Sequence, residues 1–207
     1  MKTGRAFIIE DDEAVRDALV LLMQSVGLQA SAYPDAASFL QADHQEHPAC
    51  LVLDVRMPGM SGLQLAREPQ VRRQAWPIIF VTGHGDVPMA VEAMREGAFD
   101  FLQKPFREEE LIQRVQRAIE QDHNDQVAAS ERGEIEARLQ ELTPREREIL
   151  DRIMAGEANK VIAIELGISA RTVELHRANV MEKMQARSLA HLLRQVLSIG
   201  PPDSKSA

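Results

Sequence analysis

Residues 50–62, CLVLDVRMPGMSG, form an apolar run that ends abruptly on Asp54 and is followed at once by a Pro-Gly turn. A continuous run of aliphatic residues predicts a strand that is buried on both faces, as the strands of parallel sheets are. In open α/β sheets, functional groups collect beyond the carboxyl ends of the strands. The stretch therefore predicts a parallel sheet with a chemically active carboxylate at its edge.

A strand followed by a helix occurs five times before residue 122. The apolar strand segments are RAFIIE, LQASAY, CLVLD, PIIFVT and FDFLQ, and each precedes a segment with helical periodicity. Repeated units of this kind build a parallel sheet with helices on both faces. We therefore expect an α/β fold for residues 1–122, a doubly wound (βα)5 parallel sheet.

The chain after residue 122 has a different organisation. Residues 123–138 lose the apolar periodicity and contain Asn, Ser and Gly, so they are predicted to be a linker that is partly helical. Residues 139–207 contain four helical segments with short connections and no strand pattern. We expect a second, smaller all-α domain there, built from four helices.

Composition limits the function classes. The net charge is −8, and residues 1–122 contain most of the acidity, with 12 Lys or Arg against 19 Asp or Glu. Residues 139–207 are nearly neutral, so DNA binding has to be argued from the placement of the basic groups. No apolar run has membrane-spanning length and no signal-peptide pattern occurs, so we expect a cytoplasmic protein. Cys50 is the only cysteine, which excludes an internal disulfide and favours a packed core thiol.

Polar residues stand at the carboxyl ends of four predicted strands. They are Glu10 and Asp11 at the first strand, Asp54 at the third, Thr82 at the fourth and Lys104 at the fifth. Since parallel strand ends lie side by side, these side chains should converge at one edge. Three carboxylates repel one another unless a cation intervenes. The all-oxygen donor set suits Mg²⁺, and the lysine adds a charge suited to a phosphoryl oxygen.

Residues 1–122 resemble a response-regulator receiver domain, which has a flavodoxin-like fold. The resemblance rests on the acidic pair in IIEDDE, on DVRMPGMSG, on the Thr that closes IIFVT and on the KP of LQKPF. It implies that Asp54 accepts a phosphoryl group from a phosphohistidine of a sensor histidine kinase. It also implies that Asp11, Asp54 and the backbone carbonyl of Arg56 hold Mg²⁺, with Glu10 acting mainly through water. Such a protein catalyses its own modification, and we do not expect a turnover enzyme.

The same resemblance implies a route by which phosphorylation alters the surface. Thr82 is expected to move towards the phosphoryl group and Phe101 to fill the space that it vacates. The Lys104–Pro105 peptide bond is expected to be cis. The altered face, residues 86–115, is expected to form a homodimer on phosphorylation.

The residues near Asp54 and after the first strand argue against two other kinds of protein. An aspartyl phosphatase of the haloacid-dehalogenase kind would have a second Asp two residues after the nucleophile, where this chain has Arg56. A flavodoxin would have a hydroxyl- and Gly-rich phosphate loop after the first strand, where this chain has EDDE. An interaction module that binds its partner constitutively, with vestigial phosphoryl transfer, stays open.

The C-terminal segment begins with a strong helix start, LTPREREIL. Thr143 is at the N-cap, Pro144 at the first helical position and Glu146 at the capping-box position. Residues 159–184, NKVIAIELGISARTVELHRANVMEKM, have the pattern of a helix-turn-helix with Gly167 at the turn. This region resembles the LuxR/NarL-type DNA-binding domain. The whole chain has a narrower resemblance to response regulators of the FixJ type. This resemblance rests on two stretches, TGHGDVPMAVEAMREGAFDF and RTVELHRANVMEKMQARSLAHL.

Helical periodicity divides the second helix of this motif into a core side and a DNA side. The core side is expected to contain Val173, Val180 and Met184. The residues expected to face the major groove are Arg171, Glu174, Leu175 and Ala178. Candidate phosphate contacts are Lys160, Thr172, Arg177 and Lys183. For His176, a packing or capping role and a base contact both stay open.

These features predict a two-component response regulator that acts as a transcriptional activator. We expect phosphorylation of Asp54 to promote a homodimer, which then binds double-stranded promoter DNA. The expected partners are a cognate sensor histidine kinase, promoter DNA and RNA polymerase, and no membrane partner is expected. The expected cofactor is Mg²⁺.

Overall fold

The computed structural model of the chain describes residues 4–83 and 87–200, without the side chains of residues 87 and 88. The chain divides into two compact units, Met1–Val127 and Ala128–Ala207. None of the helices in these described ranges combines the length and the hydrophobicity that crossing a lipid bilayer requires.

The first unit contains a five-stranded parallel sheet in the order β2-β1-β3-β4-β5. The strands are β1 (Arg5–Ile9), β2 (Gln29–Tyr33), β3 (Ala49–Asp54), β4 (Ile78–Thr82) and β5 (Asp100–Gln103). Every residue of β3 is buried, because the strand lies in the centre of the sheet between β1 and β4. The parallel sheet predicted from the apolar runs is confirmed.

Helices cover both faces of this sheet. They are α1 (Glu13–Ser25), α2 (Ala36–Gln41), α3 (Gly62–Arg67), α4 (Pro69–Gln74), α5 (Val87–Arg95) and α6 (Glu108–Gln140). Phe7 and Leu51 point into one apolar layer, whereas Ile8 and Val52 point into the other. Cys50 is fully buried in β3, as predicted, and this burial raises the pKa of its thiol. The doubly wound, flavodoxin-like (βα)5 architecture is confirmed.

The third strand is followed by two short helices, whereas the sequence predicted one. Pro69 stands at the first position of α4, and Glu68 before it is extended, with φ −60° and ψ 135°. A residue that precedes proline is disfavoured in the helical region, and proline cannot donate the next helical hydrogen bond. The helix therefore ends at Arg67 and a new one begins at Pro69.

Residues 123–138, expected to be a partly helical linker, are helical throughout and belong to α6. Good helix formers dominate the second half of this segment, ASERGEIEAR. Pairs four residues apart add support, with Gln121 donating to Asp125 and Arg138 pairing with Glu134. The sequence did not indicate a full helix here, because a charged and polar stretch has little apolar periodicity.

The second unit has the predicted all-α organisation after the end of α6. Its helices are α7 (Pro144–Met154), α8 (Asn159–Glu165), α9 (Ala170–Lys183) and α10 (Leu189–Ser198). The capping box that Thr143 and Glu146 were predicted to form is present, and Gly167 has a φ of +65° between α8 and α9. One apolar cluster, centred on residues such as Ile149, Ile162 and Leu192, joins the helices.

Candidate functional site

Three carboxylates converge at the carboxyl edge of the sheet. Glu10 follows β1, Asp54 ends β3, and the two are 2% and 8% exposed. Asp11 is exposed next to them, and one oxygen from each of the three residues lies within 4.8 Å of the other two. They converge because β1 and β3 pair in parallel, with Ile9 opposite Leu53.

Lys104 brings a positive charge into this cluster. Its Nζ donates to Glu10 Oε2 at 2.7 Å and to Asp54 Oδ2 at 3.3 Å. The backbone N–H of Lys104 donates to the carbonyl of Thr82 at 2.8 Å, which ties the residue to the end of β4. The Lys104–Pro105 peptide bond is cis, as expected. The lysine is therefore placed between two of the three acids.

Burial and the repulsion between like charges disfavour the ionised form of the carboxylates in this cluster. Burial is the main cause that raises the pKa of Glu10, the charge of Asp54 raises it further, and Lys104 opposes both. Burial by itself lowers the pKa of Lys104, but the hydrogen bonds and charges of Glu10 and Asp54 outweigh this and raise it. A divalent cation would relieve the remaining repulsion. Three carboxylates without imidazole or thiolate fit Mg²⁺.

The other expected members of this site lie around Asp54. The backbone N–H of Arg56 donates to Asp54 Oδ1 at 3.2 Å, and the metal-ligand role expected for the Arg56 carbonyl stays a prediction. Thr82 is 1% exposed, one residue beyond the Val81 that pairs with Asp54. Phe101 is half-buried on β5 opposite Phe80 and packs against the core. The sheet thus brings Thr82 to the edge and places Phe101 one strand further along.

Helix α9 presents a continuous exposed face. Val173, Val180 and Met184 are completely buried, so the predicted core side is confirmed. The residues predicted to face the groove are all exposed, and Leu175 is 61% exposed although it is apolar. They are Arg171, Glu174, Leu175 and Ala178. An exposed helix face with hydrogen-bonding and apolar side chains fits insertion into a major groove.

The predicted phosphate contacts divide into two groups. Lys160 is exposed and Arg177 is half-buried, whereas the Oγ1 of Thr172 lies 2.8 Å from the hydroxyl of Ser169, the N-cap of α9. The Nζ of Lys183 donates to the Glu146 carboxylate at 2.7 Å and to the Glu141 carbonyl at 3.1 Å. A buried carboxylate thus holds this ammonium within the unit, and the phosphate contact of Lys183 stays a prediction.

His176 has a partly buried position. Its Nδ1 atom is buried and has no hydrogen-bond partner among the described residues. This burial agrees with the packing role of the two roles considered and gives no support to a base contact.

Two interactions at these sites, and one at the amino end of β3, were not predicted. Arg16 donates to the carbonyls of Glu10 and Asp11, Asp122 accepts from His47, and Lys183 pairs with Glu146. The last two join residues 75 and 37 positions apart, and no local pattern in the sequence indicates such a pair. Arg16 follows the acidic pair within the first turn of α1, so its proximity was a usable signal.

Comparisons with known proteins identify the family of each domain. A family model described as response regulator receiver domain matches residues 6–116, and one described as bacterial regulatory proteins, luxR family, matches residues 140–196. The transcriptional regulatory protein FixJ of Bradyrhizobium diazoefficiens is 44% identical over 197 residues, covering 95% of this chain and 96% of that protein. The chain belongs to the FixJ-like response regulators.

Relatives of this response regulator come from different bacteria. The response regulator TodT of Pseudomonas putida strain F1 is 42% identical, covering 91% of this chain and 83% of that protein. The solved structure of the response regulator StyR matches with a TM-score of 0.83 at 39% identity, covering 94% of this chain and 98% of that one. Full-length FixJ from B. japonicum matches with a TM-score of 0.60 at 43% identity, covering 97% and 98%. The chain is thus a transcriptional regulator with a receiver and a LuxR-type DNA-binding domain.

Proposed function

We propose that this response regulator accepts a phosphoryl group on Asp54 from a sensor histidine kinase, dimerises and then activates transcription from promoter DNA. The observation that supports this most directly is the ammonium of Lys104, which lies within hydrogen-bond distance of both Glu10 and Asp54. A carboxylate becomes a competent nucleophile towards phosphorus when cationic groups neutralise the charge on the phosphoryl oxygens. The edge of the sheet supplies such a cationic group next to the nucleophile.

The transfer step conserves atoms and charge. An Oδ atom of Asp54 forms a bond to phosphorus, while the bond between phosphorus and the nitrogen of the kinase histidine breaks. The nitrogen keeps the electron pair of that bond and takes up a proton from solvent. Lys104 now donates a hydrogen bond to the charged carboxylate of Asp54. Once that carboxylate is esterified, Lys104 donates to a phosphoryl oxygen instead and stabilises its charge.

Mg²⁺, held by Asp11, Asp54 and the Arg56 carbonyl with Glu10 acting through water, would neutralise the remaining phosphoryl charge. The N–H of Arg56 orients the Asp54 carboxylate before the reaction through its 3.2 Å hydrogen bond.

The response to the modification is proposed to pass through Thr82 and Phe101. A phosphoryl group at Asp54 offers oxygens that the Thr82 hydroxyl can reach from the next strand, and Phe101 then fills the vacated volume. The surface so altered consists of α5, β5 and the part of α6 up to Val115, and on it Val91 and Met94 are 43% and 50% exposed. Exposed apolar side chains on a face that changes with phosphorylation support a homodimer there.

DNA recognition is proposed to use the exposed face of α9. Arg171 reads guanine, Glu174 accepts from cytosine, and Leu175 and Ala178 contact thymine methyl groups. Lys160, Thr172, Arg177 and Lys183 are proposed to contact phosphates, which fix the register without reading sequence. As an activator, the bound dimer would present a surface to RNA polymerase.

The domain limits that we propose are those predicted from the sequence. Residues 1–122 form the receiver domain and residues 139–207 the DNA-binding domain, with 123–138 as a helical linker between them. The boundary between the two compact units, after Val127, falls within this linker and supports the assignment.

The test compares wild type with Asp54→Asn after incubation with acetyl phosphate and Mg²⁺. Sedimentation would measure dimerisation, and selection from a random DNA library would measure sequence-specific binding. We expect treated wild type to dimerise and to enrich a two-fold symmetric site, and Asp54→Asn to do neither. Asp43→Asn, which removes the charge of an exposed carboxylate, is the matched control. Equal dimerisation and DNA selection by Asp54→Asn would contradict the switch and favour a constitutive interaction module.

A further inference from the structure

The side chain of Arg16, in the first turn of α1, contacts the acidic residues Glu10 and Asp11 that precede this helix. Its Nη1 donates to the carbonyl of Glu10 at 3.0 Å and to the carbonyl of Asp11 at 3.3 Å. The N–H of Arg16 donates to the carbonyl of Asp12 at 2.8 Å, so the loop and the first turn of the helix are tied together. One guanidinium nitrogen therefore bridges two consecutive peptide carbonyls at the edge of the sheet.

The three carboxylates of the cluster are held in different ways. Glu10 is held by Lys104, and Asp54 is held by Lys104 and by the N–H of Arg56. Within the described ranges, no hydrogen bond or ion pair holds the carboxylate of Asp11. Its approach to the other two acids therefore depends on where the backbone places it. The peptide planes on either side of Asp11 are the ones whose carbonyls Arg16 binds.

We propose that Arg16 is a positioning residue of the phosphorylation site, which holds the Asp11 backbone so that its carboxylate is ready to bind Mg²⁺. This inference rests on the proposed function of the site. Two effects of Arg16 on metal binding have opposite signs. Its positive charge repels a divalent cation, whereas its hydrogen bonds lower the cost of ordering Asp11. For Arg16 the ordering effect is the larger one.

Two substitutions separate these effects. Arg16→Gln removes the charge and the bridge, and Arg16→Lys keeps the charge on a side chain that is one bond shorter, so its ammonium falls short of the position of Nη1 between the two carbonyls. Calorimetric titration with MgCl₂ measures the Kd for Mg²⁺ in the absence of any phosphodonor. Outer partners of metal ligands typically change affinity by about tenfold or more, so we expect the Kd to rise about tenfold in both variants. Asp54 phosphorylation by acetyl phosphate at saturating Mg²⁺ should stay within about twofold of wild type.

The control is Arg73→Gln, which removes an exposed arginine on α4 and should leave the Kd unchanged. Fluorescence of Trp76, the only tryptophan, follows unfolding of the first unit in each variant. A tighter Mg²⁺ complex in Arg16→Gln with an unchanged one in Arg16→Lys would mean that only charge acts, and would overturn the proposal. Lower stability with an unchanged Kd would overturn it as well, because the role would then be structural. Wild type that binds no Mg²⁺ would overturn the proposed function itself, whereas wild type that binds Mg²⁺ beside unaffected variants would overturn only the role of Arg16.

Discussion

The ammonium of Lys183, at the end of α9, lies 2.7 Å from the Oε2 atom of Glu146 in the first turn of α7. Glu146 is 4% exposed, and the same oxygen accepts from the N–H of Thr143 at 2.9 Å. The carboxylate that closes the capping box of α7 is therefore also the anchor for the helix proposed to read DNA. Glu146, predicted from the sequence as a capping residue, thus also joins α7 to α9.

Lys183→Met should destabilise the second unit, because it leaves a buried carboxylate without its cationic partner. Such a loss costs about 1–3 kcal/mol of unfolding free energy. Every Trp, Tyr and Phe residue lies before residue 107, so aromatic fluorescence follows the first unit alone, and far-ultraviolet circular dichroism during urea unfolding follows both. The control is Lys160→Met, an exposed lysine, and it should change stability little. Equal unfolding curves for the two variants would argue against the buried pair.

The stability of the second unit should fall in acid. The hydrogen bond from Lys183 is the main cause that lowers the pKa of Glu146 from 4.5 to about 2, and the Thr143 N–H adds to it. A carboxyl whose pKa is lower in the folded state stabilises the fold above its unfolded pKa, and this contribution is lost as the pH falls. The loss should therefore occur between pH 4.5 and about 2. The stability of this unit is read from the part of the dichroism transition that Trp76 fluorescence does not follow. In Glu146→Gln it should depend less on pH over that range, and an unchanged dependence would show that another group is responsible.

How far the sequence leads can be judged from particular residues. The order of strand ends was enough to bring Glu10, Asp54 and Lys104 together, since parallel strands share one edge. Helix boundaries set by local chemistry, such as the capping box of α7, were also predictable. Pro69 is local chemistry too: proline is favoured at the first position of a helix, and it could have indicated α4, which the prediction of a single helix in SGLQLAR left out.

Long-range polar pairs could not be predicted in this way. Asp122 stood at the edge of the predicted linker, where a charged residue in a polar stretch is normally solvated. In the structure it is 2% exposed, because α6 passes the beginning of β3 and delivers the carboxylate to His47 and to the N–H of Ala49. Only the three-dimensional path of the helix reveals this contact.

Asp122→Ala should destabilise the first unit, since it leaves the N–H of Ala49 buried without its acceptor and removes the partner of His47. The two hydrogen bonds measure 2.8 Å and 2.7 Å, and a buried donor without a partner costs about 1–3 kcal/mol. Urea unfolding followed by Trp76 fluorescence measures the effect, because the rings of His47 and Trp76 are 5.7 Å apart within this unit. Asp125→Ala, an exposed aspartate one turn further along α6, should leave the transition nearly unchanged. If both variants unfold at the wild-type urea concentration, the contact contributes nothing to stability.

Gly62, the last residue of the stretch that begins at Cys50, should not tolerate a side chain. A Cβ atom there would lie 2.2 Å from the backbone oxygen of Asp54 and 3.0 Å from the side chain of Leu53, so either α3 or the end of β3 has to move. Gly62→Ala should lower the unfolding free energy by about 1–3 kcal/mol and slow phosphorylation of Asp54 by acetyl phosphate, because the nucleophile is displaced. Gly83→Ala is the matched control, since a Cβ at Gly83 would meet no atom of the described residues within 4 Å. A Gly62→Ala protein with the stability and the phosphorylation rate of Gly83→Ala would mean that close packing of α3 against Asp54 does not hold the nucleophile in place.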